Sequence, residues 1–589
     1  MTTPFRVTSL TFNSGVSVDT SQADIVVIVG PNNVGKSRAL LEMSQSLSLH
    51  PGVQPHPGSF YVLQDLEIER FMDADGVQSW LAERRYTFFE GNDPQQRIRT
   101  ANAGEFYLNQ VAGNWDTPDS RLAALAPHLV RGLWCGERLQ YLASPSRLDI
   151  GAHPEHPVHW LIRDNALMES FREAFWSAFG MHIVVDAWGS NYRLRLSPDE
   201  VQDDFAASTA DGLPAPSLVE RLAALSLIEE QSDGVRSFAG ILLTLLTAQF
   251  PLVLLDEPEA FLHPPQARLL GRNLSELQRD GQLFVATHSL DVLLGLIESK
   301  PERVLILRLT RESGLTTCRT LPPDDLARLW KDPLLRFSRS LDGLFHDGVV
   351  VCEGDTDSQF YSAVSELEGP NGITGGRHVM FTYAGSKARI PLIANALRAL
   401  GVPVRVVVDF DAINDATTLA SLVSSVGGEY TDDMEAGRRL VDTNLRGSAP
   451  PLKSGPLLEG IRGILGDDPT REVTRSELGN VRRELEPETG WRAAKRSGKA
   501  AVPPGDATVA LGRLLDQLKG LGIFVVPYGE VESFVKAVGG KGPRWVVEVV
   551  AGGHLETAAE AQAFVRELLG SMPAIRVSKP PSGEPEAAE

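Results

Sequence analysis

Six short apolar runs, each followed directly by polar residues, constrain the fold of this chain more than any other feature. They are IVVIVG, PLVLLDEP, QLFVATHS, GVVVCEG, VRVVVDFD and IFVVPYG, and helical patterns lie between them. Unbroken runs of Val, Ile and Leu suit strands that are covered on both faces, as in the parallel sheets of α/β proteins. Ligands of such sheets bind beyond the carboxyl ends of the strands, so the polar residues after each run are the candidates for chemistry.

The positions of these runs predict two α/β domains, since three of them precede residue 290 and three follow residue 347. We place the first domain at 1–335, with an insertion at about 65–225 in which we recognise no chemistry. The second domain spans 345–550 and has an insertion at about 415–520. The tail, 577–589, is rich in Pro, Glu and Ala and is predicted to be disordered.

The composition narrows the class of protein. With 56 basic and 76 acidic side chains the net charge is −20, so any contact with nucleic acid has to be local. The cysteines Cys135, Cys318 and Cys352 have no metal-ligand spacing, which argues against a disulfide framework or a zinc site. The chain opens without a basic segment followed by an apolar core, and no apolar run approaches the roughly 18 residues of a membrane span. These features predict a cytoplasmic protein with no membrane partner.

The octapeptide GPNNVGKS, residues 30–37, matches the phosphate-binding pattern G-x-x-x-x-G-K-[ST]. Its glycines allow backbone N–H groups to turn inward around phosphates, its lysine can reach the β and γ phosphates, and its serine hydroxyl can bind Mg²⁺. A chance glycine turn is the alternative for this pattern alone. The predicted nucleotide contacts are Gly30, Asn32, Asn33, Gly35, Lys36 and Ser37.

Three later segments contain residues that could contact the same nucleotide. Asp256 and Glu257 follow a buried strand, where the first would hold Mg²⁺ and the second would orient or deprotonate the attacking water. A helix cap is the alternative, although DEP followed by EAFLHP argues against it. His288 is placed to sense a γ-phosphate, or is an ordinary turn residue. Ser232 and Gly234 begin a helix whose N-terminus could offer N–H donors to an anion.

The order of the phosphate loop, SDGVRS, LLDEPEAFLHP and ATHS resembles ATPases of the ABC class, in particular the DNA-repair type related to SMC and RecF proteins. The resemblance implies an N-terminal ABC/SMC-like ATPase domain. It also implies a head-to-head dimer in which SDG of one subunit closes over the ATP held by the other. SDG departs from the more usual LSGGQ of that class. No long coiled coil separates the two halves of the ATPase, which excludes the SMC architecture itself.

A second group of acids lies in the C-terminal half. Glu353 ends one predicted strand, Asp357 falls in the first turn of the helix after it, and Asp409 and Asp411 end another strand. Two residues apart in an extended segment, Asp409 and Asp411 point to the same side. Converging carboxylates repel one another unless a divalent cation is present, and Mg²⁺ or Mn²⁺ suits oxygen ligands. Alternatively the acids cap helices and face water, but two acidic strand ends favour a metal site.

The E-G-x-x-D and D-x-D segments resemble the Toprim domain of topoisomerases, bacterial primases and a group of nucleases. By that resemblance Glu353 is a general acid/base or a metal ligand, and Asp409 and Asp411 are ligands. Glu532 is the better match to the late acidic ligand of nucleases with an ATPase in front of the Toprim domain. Its neighbour Glu530 is then interpreted as a surface charge. A metal pair at such a site hydrolyses phosphodiesters by in-line displacement.

Basic residues in the same half have alternative interpretations. Lys387 is either a phosphate contact or a solvated charge at a helix end. The stretch 490–505 contains Trp491 and is either a phosphate-contact surface or a solvated loop. The basic residues of that stretch are Arg492, Lys495, Arg496 and Lys499. By the resemblance, Lys499 and Lys541 are both candidates for the family lysine that assists the leaving group.

An ABC-type ATPase followed by a Toprim domain resembles the OLD (overcoming lysogenization defect) family of nucleases, which includes the nuclease subunit of the Gabija anti-phage system. The resemblance covers roughly 1–335 and 345–550. It implies an ATP-binding, Mg²⁺- or Mn²⁺-dependent endonuclease that acts on DNA, forms a homodimer or higher homo-oligomer, and serves bacterial defence, with a second defence-system protein as a partner. Two alternatives stay open: an ATP-dependent sensor or scaffold that acts through a partner effector, and a Toprim ribonuclease.

Overall fold

The computed structural model describes residues 3–49, 61–88, 95–100, 104–116, 121–149, 154–200, 216–247, 250–277, 281–324, 326, 331, 339–367, 378–447, 454–466, 470–485 and 490–572. The chain forms two compact units that divide between Phe345 and His346. Each unit has its own largely parallel sheet, and the predicted α/β class is confirmed. The predicted tail, 577–589, lies outside the described residues.

The central sheet of the first unit is built around the three predicted runs. The strands of this unit are β1 (Phe5–Phe12), β2 (Ser17–Asp19), β3 (Ile25–Val29), β4 (Leu63–Arg70), β5 (Tyr86–Phe88), β6 (Arg97–Thr100), β7 (Gly104–Tyr107), β8 (Val130–Leu133), β9 (His182–Asp186), β10 (Arg193–Ser197), β11 (Ser226–Leu227), β12 (Leu252–Asp256), β13 (Gln282–Ala286), β14 (Val304–Glu312) and β15 (Leu315–Leu321). The central sheet has the order β15-β14-β3-β13-β12-β8, and its pairs are parallel except β14 with β15. Every residue of β3 and β13 is buried, as expected of strands covered on both faces.

The helices of the first unit lie between its strands along the chain. They are α1 (Lys36–Leu47), α2 (Ala74–Arg84), α3 (Val111–Trp115), α4 (Ala126–Leu129), α5 (Pro157–Arg163), α6 (Asn165–Phe179), α7 (Pro216–Ala224), α8 (Asp233–Leu246), α9 (Pro264–Leu277) and α10 (Leu290–Ser299), with a 3₁₀ helix at Arg138–Leu142. Helix α8 buries every residue from Ser237 to Leu246, so it is a core helix rather than an amphipathic surface helix.

The segment 65–225, interpreted from the sequence as an insertion, is not separate from the central sheet. Its strand β8 pairs with β12 in parallel, with Val130 opposite Leu252, and forms one edge of the central sheet. The strand has only four residues and includes Arg131 and Gly132. So short and mixed a segment gives no apolar run, which is why the sequence did not predict it.

The second unit is a four-stranded parallel sheet with helices. Its strands are β16 (Gly348–Cys352), β17 (Val379–Tyr383), β18 (Val404–Val408) and β19 (Ile523–Val525), in the order β17-β16-β18-β19. Its helices are α11 (Asp355–Glu366), α12 (Ile390–Ala399), α13 (Ala416–Ser425), α14 (Asp432–Gly447), α15 (Ser454–Leu465), α16 (Arg475–Leu485), α17 (Gly490–Ser497), α18 (Asp506–Gly520), α19 (Pro543–Ala551) and α20 (Ala559–Gly570). The described part of 415–520 is therefore mainly helical and connects β18 with β19.

An aromatic cluster fixes the helix that follows the first acidic strand of this unit. Phe360 and Tyr361 of α11 are fully buried, and the ring of Phe360 lies 5.9 Å from that of Phe534 and 5.3 Å from that of Trp545. Burial of such large rings is worth several kcal/mol relative to exposure. The start of α11, and with it the acids around Glu353, is thus held by the core. Across the described residues, no helix combines the length and the apolar character needed to cross a bilayer.

Candidate nucleotide and metal sites

The phosphate loop joins β3 to α1, and its two glycines are required by its geometry. Gly30 has φ 141°, and a Cβ there would lie 2.3 Å from the carbonyl oxygen of Leu309. Gly35 has φ 101°, and its Cβ would lie 2.6 Å from Val62. Both positions therefore exclude a side chain, for conformational and steric reasons together. Asn33 of the same loop has the left-handed φ of 63°, which asparagine tolerates better than most residues.

Lys36, the first residue of α1, is held inside the loop. Its Nζ donates to the carbonyl oxygens of Gly30 and Pro31, both at 2.8 Å, and the residue is only 4% exposed. Burial lowers the pKa of Lys36 to about 8, against the opposing charges of three nearby acids, Glu257, Glu259 and Asp256. A buried ammonium group next to inward-facing backbone is the arrangement that a phosphate-binding lysine needs.

Ser37 and Asp256 meet at the carboxyl end of β12, as a magnesium site would require. Burial raises the pKa of Asp256, although a hydrogen bond with the Ser37 side chain opposes this shift. Within the described residues, the buried Oδ1 of Asp256 has no hydrogen-bond partner. A hydroxyl and a carboxylate with an unsatisfied oxygen are suitable oxygen ligands, so these two residues fit a hydrated Mg²⁺ ion.

Glu257 and His288 face each other beside this pair. Nε2 of His288 lies 3.5 Å from Oε1 of Glu257, and partial burial lowers the pKa of His288, which favours its neutral form. Glu257 has the left-handed φ of 44°, which is rare for a glutamate. The strand ends β12 and β13 therefore bring together the predicted water-orienting acid and the predicted phosphate sensor.

Sequence reasoning missed two residues that support these acids. Arg138 is fully buried and donates to the carbonyl oxygens of Asp256 at 2.7 Å and Glu257 at 2.8 Å. Glu259 accepts from Oγ1 of Thr287 at 2.9 Å and from the backbone N–H of His288 at 2.6 Å. Arg138 lies in no motif, so no sequence signal pointed to it. Glu259 is two residues beyond Glu257, and this closeness to the predicted site was the sequence signal that could have identified it.

Ser232 and Gly234 stand at the start of α8, as predicted. Ser232 is the N-cap residue, and a Cβ at Gly234 would lie 2.4 Å from the carbonyl oxygen of Phe261. Among the described residues, no hydrogen bond joins Ser232 or Gly234 to the phosphate loop of the same chain. Their contribution to a nucleotide site, through a second subunit, stays a prediction.

The acids of the second unit converge because their strands are neighbours. β16 and β18 are parallel and adjacent, and Glu353 follows the first while Asp409 and Asp411 follow the second. One carboxylate oxygen from each of Glu353, Asp409 and Asp411 lies within 4.8 Å of the others. The buried Oε2 of Glu353 has no hydrogen-bond partner among the described residues. An all-oxygen group with an unsatisfied oxygen fits Mg²⁺ or Mn²⁺.

The electrostatics of this group agree with a site that requires a cation. Burial, followed by the negative charges of Asp357 and Glu353, raises the pKa of Asp409 to about 8. Burial also raises the pKa of Asp357 to about 6, with contributions from Glu353 and Glu532. Without a cation, these carboxylates can therefore not all ionise freely at neutral pH.

Asp357 and Glu532 lie outside the three-oxygen group. Oδ2 of Asp357 accepts from the backbone N–H of Gly354 at 2.8 Å, and Oε1 of Glu532 accepts from that of Gly542 at 3.2 Å. Asp357 contributes to raising the pKa of Asp409, and Glu532 contributes to raising that of Asp357. The role of Asp357 and Glu532 as metal ligands stays a prediction. The interpretation of Glu530 as a surface charge is wrong, because Glu530 is only 8% exposed and its carboxylate pairs with Lys541.

Two lysines neutralise the aspartates of the group. Nζ of Lys387 lies 3.0 Å from Asp411, and Nζ of Lys495 lies 3.3 Å from Asp411 and 3.7 Å from Asp409. Burial lowers the pKa of Lys495, but Asp411 and Asp409 outweigh it and the net shift is upward. Lys495 stands on helix α17, so this part of the basic stretch is not a solvated loop. More than 80 residues separate Lys495 from the aspartates in the sequence, so the sequence did not predict this contact.

Lys495 and a divalent cation compete for the same carboxylates. Replacing Lys495 with glutamine is therefore expected to raise the affinity for Mn²⁺ by about twofold to fivefold, the range that a partly exposed ion pair supports. Free Mn²⁺ measured by electron paramagnetic resonance, without nucleotide, gives the affinity. Lys499→Gln on the same stretch is the matched control and should leave it unchanged. Weaker Mn²⁺ binding by Lys495→Gln would show that Lys495 supports the metal rather than competing with it.

These two sites define the class of protein: a P-loop ATPase unit and a unit with strand-end carboxylates of the Toprim type. The family model "AAA domain, putative AbiEii toxin, Type IV TA system" matches residues 153–295. The model "Overcoming lysogenization defect protein-like, TOPRIM domain" matches residues 344–411, which include Glu353, Asp357, Asp409 and Asp411. The chain thus carries an ATPase domain and an OLD-like Toprim domain, which imply the use of a nucleotide and a divalent metal ion.

A curated relative agrees with the predicted family. The chain is similar to the Old nuclease of Escherichia phage P2, with 23% identity over 172 residues, which is 28% of this chain and 28% of the length of that protein. The matches together are consistent with an OLD family nuclease.

Solved SMC head domains overlap part of the chain. The SmcHead bound to the C-winged helix domain of ScpA is 12% identical, with a TM-score of 0.34, and the match covers 55% of this chain and 99% of that one. The SMC head domain from Thermotoga maritima is 15% identical, with a TM-score of 0.27 and coverage of 55% and 99%.

Proposed function

We propose that this protein is an ATP-binding and ATP-hydrolysing, divalent-metal-dependent endonuclease that cuts DNA phosphodiester bonds through its Toprim domain. The observation that carries the proposal is the group of Glu353, Asp409 and Asp411 at adjacent strand ends, with their oxygens within 4.8 Å of one another. Divalent cations at such a group would activate water and stabilise the leaving oxygen of an in-line displacement. The Old nuclease of phage P2 and the OLD-like Toprim match support the same chemistry.

The residues of this chain have distinct tasks in that reaction. Glu353 carries a raised pKa, caused first by burial, and can accept the proton of the attacking water. Asp409 and Asp411 would hold the cations. Lys387 and Lys495, which now pair with Asp411, would contact the phosphates of a bound strand when cations occupy the aspartates.

The ATPase unit supplies control in this proposal. ATP bound between Gly30 and Ser37 would set the spacing of two protomers, with Ser232 and Gly234 of one closing over the nucleotide of the other. The homodimer or higher homo-oligomer, the action on DNA rather than RNA, the role in bacterial anti-phage defence and a second defence-system partner rest on the resemblance to the OLD family.

One assay with the full-length protein tests the reaction and its substrate. Supercoiled plasmid, linear duplex DNA and RNA of matched sequence are incubated with Mg²⁺ or Mn²⁺, with and without ATP, and with EDTA as the control. Internal cutting of DNA that EDTA abolishes is the expected result. Cutting of RNA alone would make the protein a Toprim ribonuclease. No cutting of either substrate under any condition would favour the sensor or scaffold hypothesis and contradict the proposal.

A further inference from the structure

The hydroxyl group of Tyr361 is buried inside the second unit, within the aromatic cluster that fixes α11. The residue has no exposed surface, and among the residues that the structure describes its Oη has no hydrogen-bond partner. A buried polar group without a partner destabilises a folded protein. Phenylalanine would fill the same space without this cost, so packing alone does not account for the hydroxyl.

Two elements that carry acids of the predicted metal site border the ring of Tyr361. On α11 it follows Asp357 by four residues, so the two side chains lie on the same face of the helix. The ring also lies 6.3 Å from that of Phe534, edge to face, and Phe534 ends the 3₁₀ helix Val531–Phe534, which contains Glu532. Tyr361 is therefore packed between Asp357 and the segment of Glu532.

The charges around the hydroxyl agree with this position. Burial, followed by the charges of Asp357, Cys352, Asp409 and Glu532, raises the pKa of Tyr361 well above its usual value. The hydroxyl therefore keeps its proton at neutral pH and is a hydrogen-bond donor. Acids from three separate segments of the chain thus act on this one donor.

Asp357 is the acceptor that the helix geometry favours. Aromatic side chains of an α-helix point back toward its N-terminus, over the residues three and four positions earlier, so the hydroxyl end of Tyr361 is directed toward Asp357. Oδ2 of Asp357 accepts from the backbone N–H of Gly354 at 2.8 Å, and a carboxylate offers about four acceptor positions in all. Asp357 can therefore accept from a second donor.

We propose that Tyr361 is a positioning residue of the metal site: when a divalent cation binds, its hydroxyl donates to the carboxylate of Asp357 and orients that side chain toward the cation. Residues that ligate a metal are commonly oriented by a hydrogen bond from a further residue. The inference rests on the proposed metal site, and it concerns the binding of the cation rather than the cutting of DNA.

The test is the replacement of Tyr361 by phenylalanine in the full-length protein. Mn²⁺ binding without nucleotide, measured by electron paramagnetic resonance, should weaken by about tenfold to a hundredfold, the range for a residue that orients a metal ligand. Thermal melting without metal should show no loss of stability, because the change removes a buried hydroxyl that has no partner among the described residues. A residue needed only for packing would give the reverse pattern, with a lower melting temperature and unchanged Mn²⁺ affinity.

Tyr430→Phe is the matched control in the same unit. The hydroxyl of Tyr430 donates to Oε2 of Glu435 at 2.8 Å, so this variant loses a hydrogen bond that is already made. It should melt no higher than the wild-type protein and bind Mn²⁺ with unchanged affinity. The near-ultraviolet difference spectrum on addition of Mn²⁺ gives a direct signature. A tyrosine signal is expected in the wild-type and Tyr430→Phe proteins and should be lost in Tyr361→Phe.

Combining Tyr361→Phe with Asp357→Ala identifies the acceptor. If Tyr361 acts through Asp357, the double variant should bind Mn²⁺ no more weakly than the Asp357→Ala protein. Losses that multiply would overturn Asp357 as the acceptor. Equal Mn²⁺ affinity of the wild-type and Tyr361→Phe proteins would overturn the inference alone, whereas equal affinity of the wild-type and Glu353→Gln proteins would contradict the proposed metal site itself.

Discussion

Replacement of Glu353 by glutamine is expected to lower the rate of DNA cutting by about 10²–10⁴-fold, the range over which a general acid or base contributes. Glutamine has nearly the same volume and leaves β16 and α11 in place, but it cannot accept a proton or carry a negative charge. The change also removes one of the three carboxylates whose oxygens lie within 4.8 Å of one another. The rate of plasmid cutting with Mg²⁺ or Mn²⁺ measures the effect.

The control for this experiment is the same substitution at an exposed acid of the same unit. Glu366 is the last residue of α11 and is exposed, so Glu366→Gln should cut at the rate of the wild-type protein. ATP hydrolysis should be equal in both variants, because the phosphate loop is in the other unit. If purified Glu353→Gln protein still cuts DNA as fast as Glu366→Gln protein, the assignment as a Toprim nuclease is wrong.

The acids of both sites could be predicted because they follow buried strands directly. Glu353, Asp409 and Asp256 each come immediately after, or at the end of, a run of Val, Ile and Leu, and the topology of a parallel sheet places such positions at one edge. Motif spacing then supplied their chemistry. Both signals, the apolar run and the motif spacing, are local in the sequence. They predicted the acids of the sites because a parallel sheet brings the residues at the ends of its strands together.

The residues that complete the sites could not be predicted, because folding brings them from distant segments. Lys495 reaches Asp411 from α17, and Arg138 reaches Asp256 from a 3₁₀ helix 118 positions earlier in the chain. Neither belongs to a motif with a fixed spacing. The basic stretch around Lys495 was recognised, but its composition alone could not distinguish a contact with acids from a solvated surface. Strand β8 was not predicted for a related reason: its four residues combine apolar side chains with Arg131 and Gly132 and form no apolar run.

Replacement of Lys36 by methionine is expected to lower ATP hydrolysis by about 10²–10³-fold, comparable to the loss of one preorganised charge at a transition state. Methionine retains most of the buried aliphatic chain but cannot donate to phosphate oxygens. The carbonyl oxygens of Gly30 and Pro31 also lose their common donor. Release of phosphate from ATP measures the rate, and Mn²⁺ binding without nucleotide should be unchanged, because the acids of the other unit are intact.

The pH dependence of ATP affinity gives a second measurement on the same residue. Because burial lowers the pKa of Lys36 to about 8, its ammonium group is charged below that pH and loses its proton as the pH rises through it. ATP affinity of the wild-type protein should therefore fall between about pH 8 and the ordinary lysine pKa of about 10.4. Lys36→Met should lack this decline, whereas Lys300→Met, a matched lysine at the end of α10, should retain it. The same decline in Lys36→Met would show that another group controls the affinity and that Lys36 does not contact the phosphates.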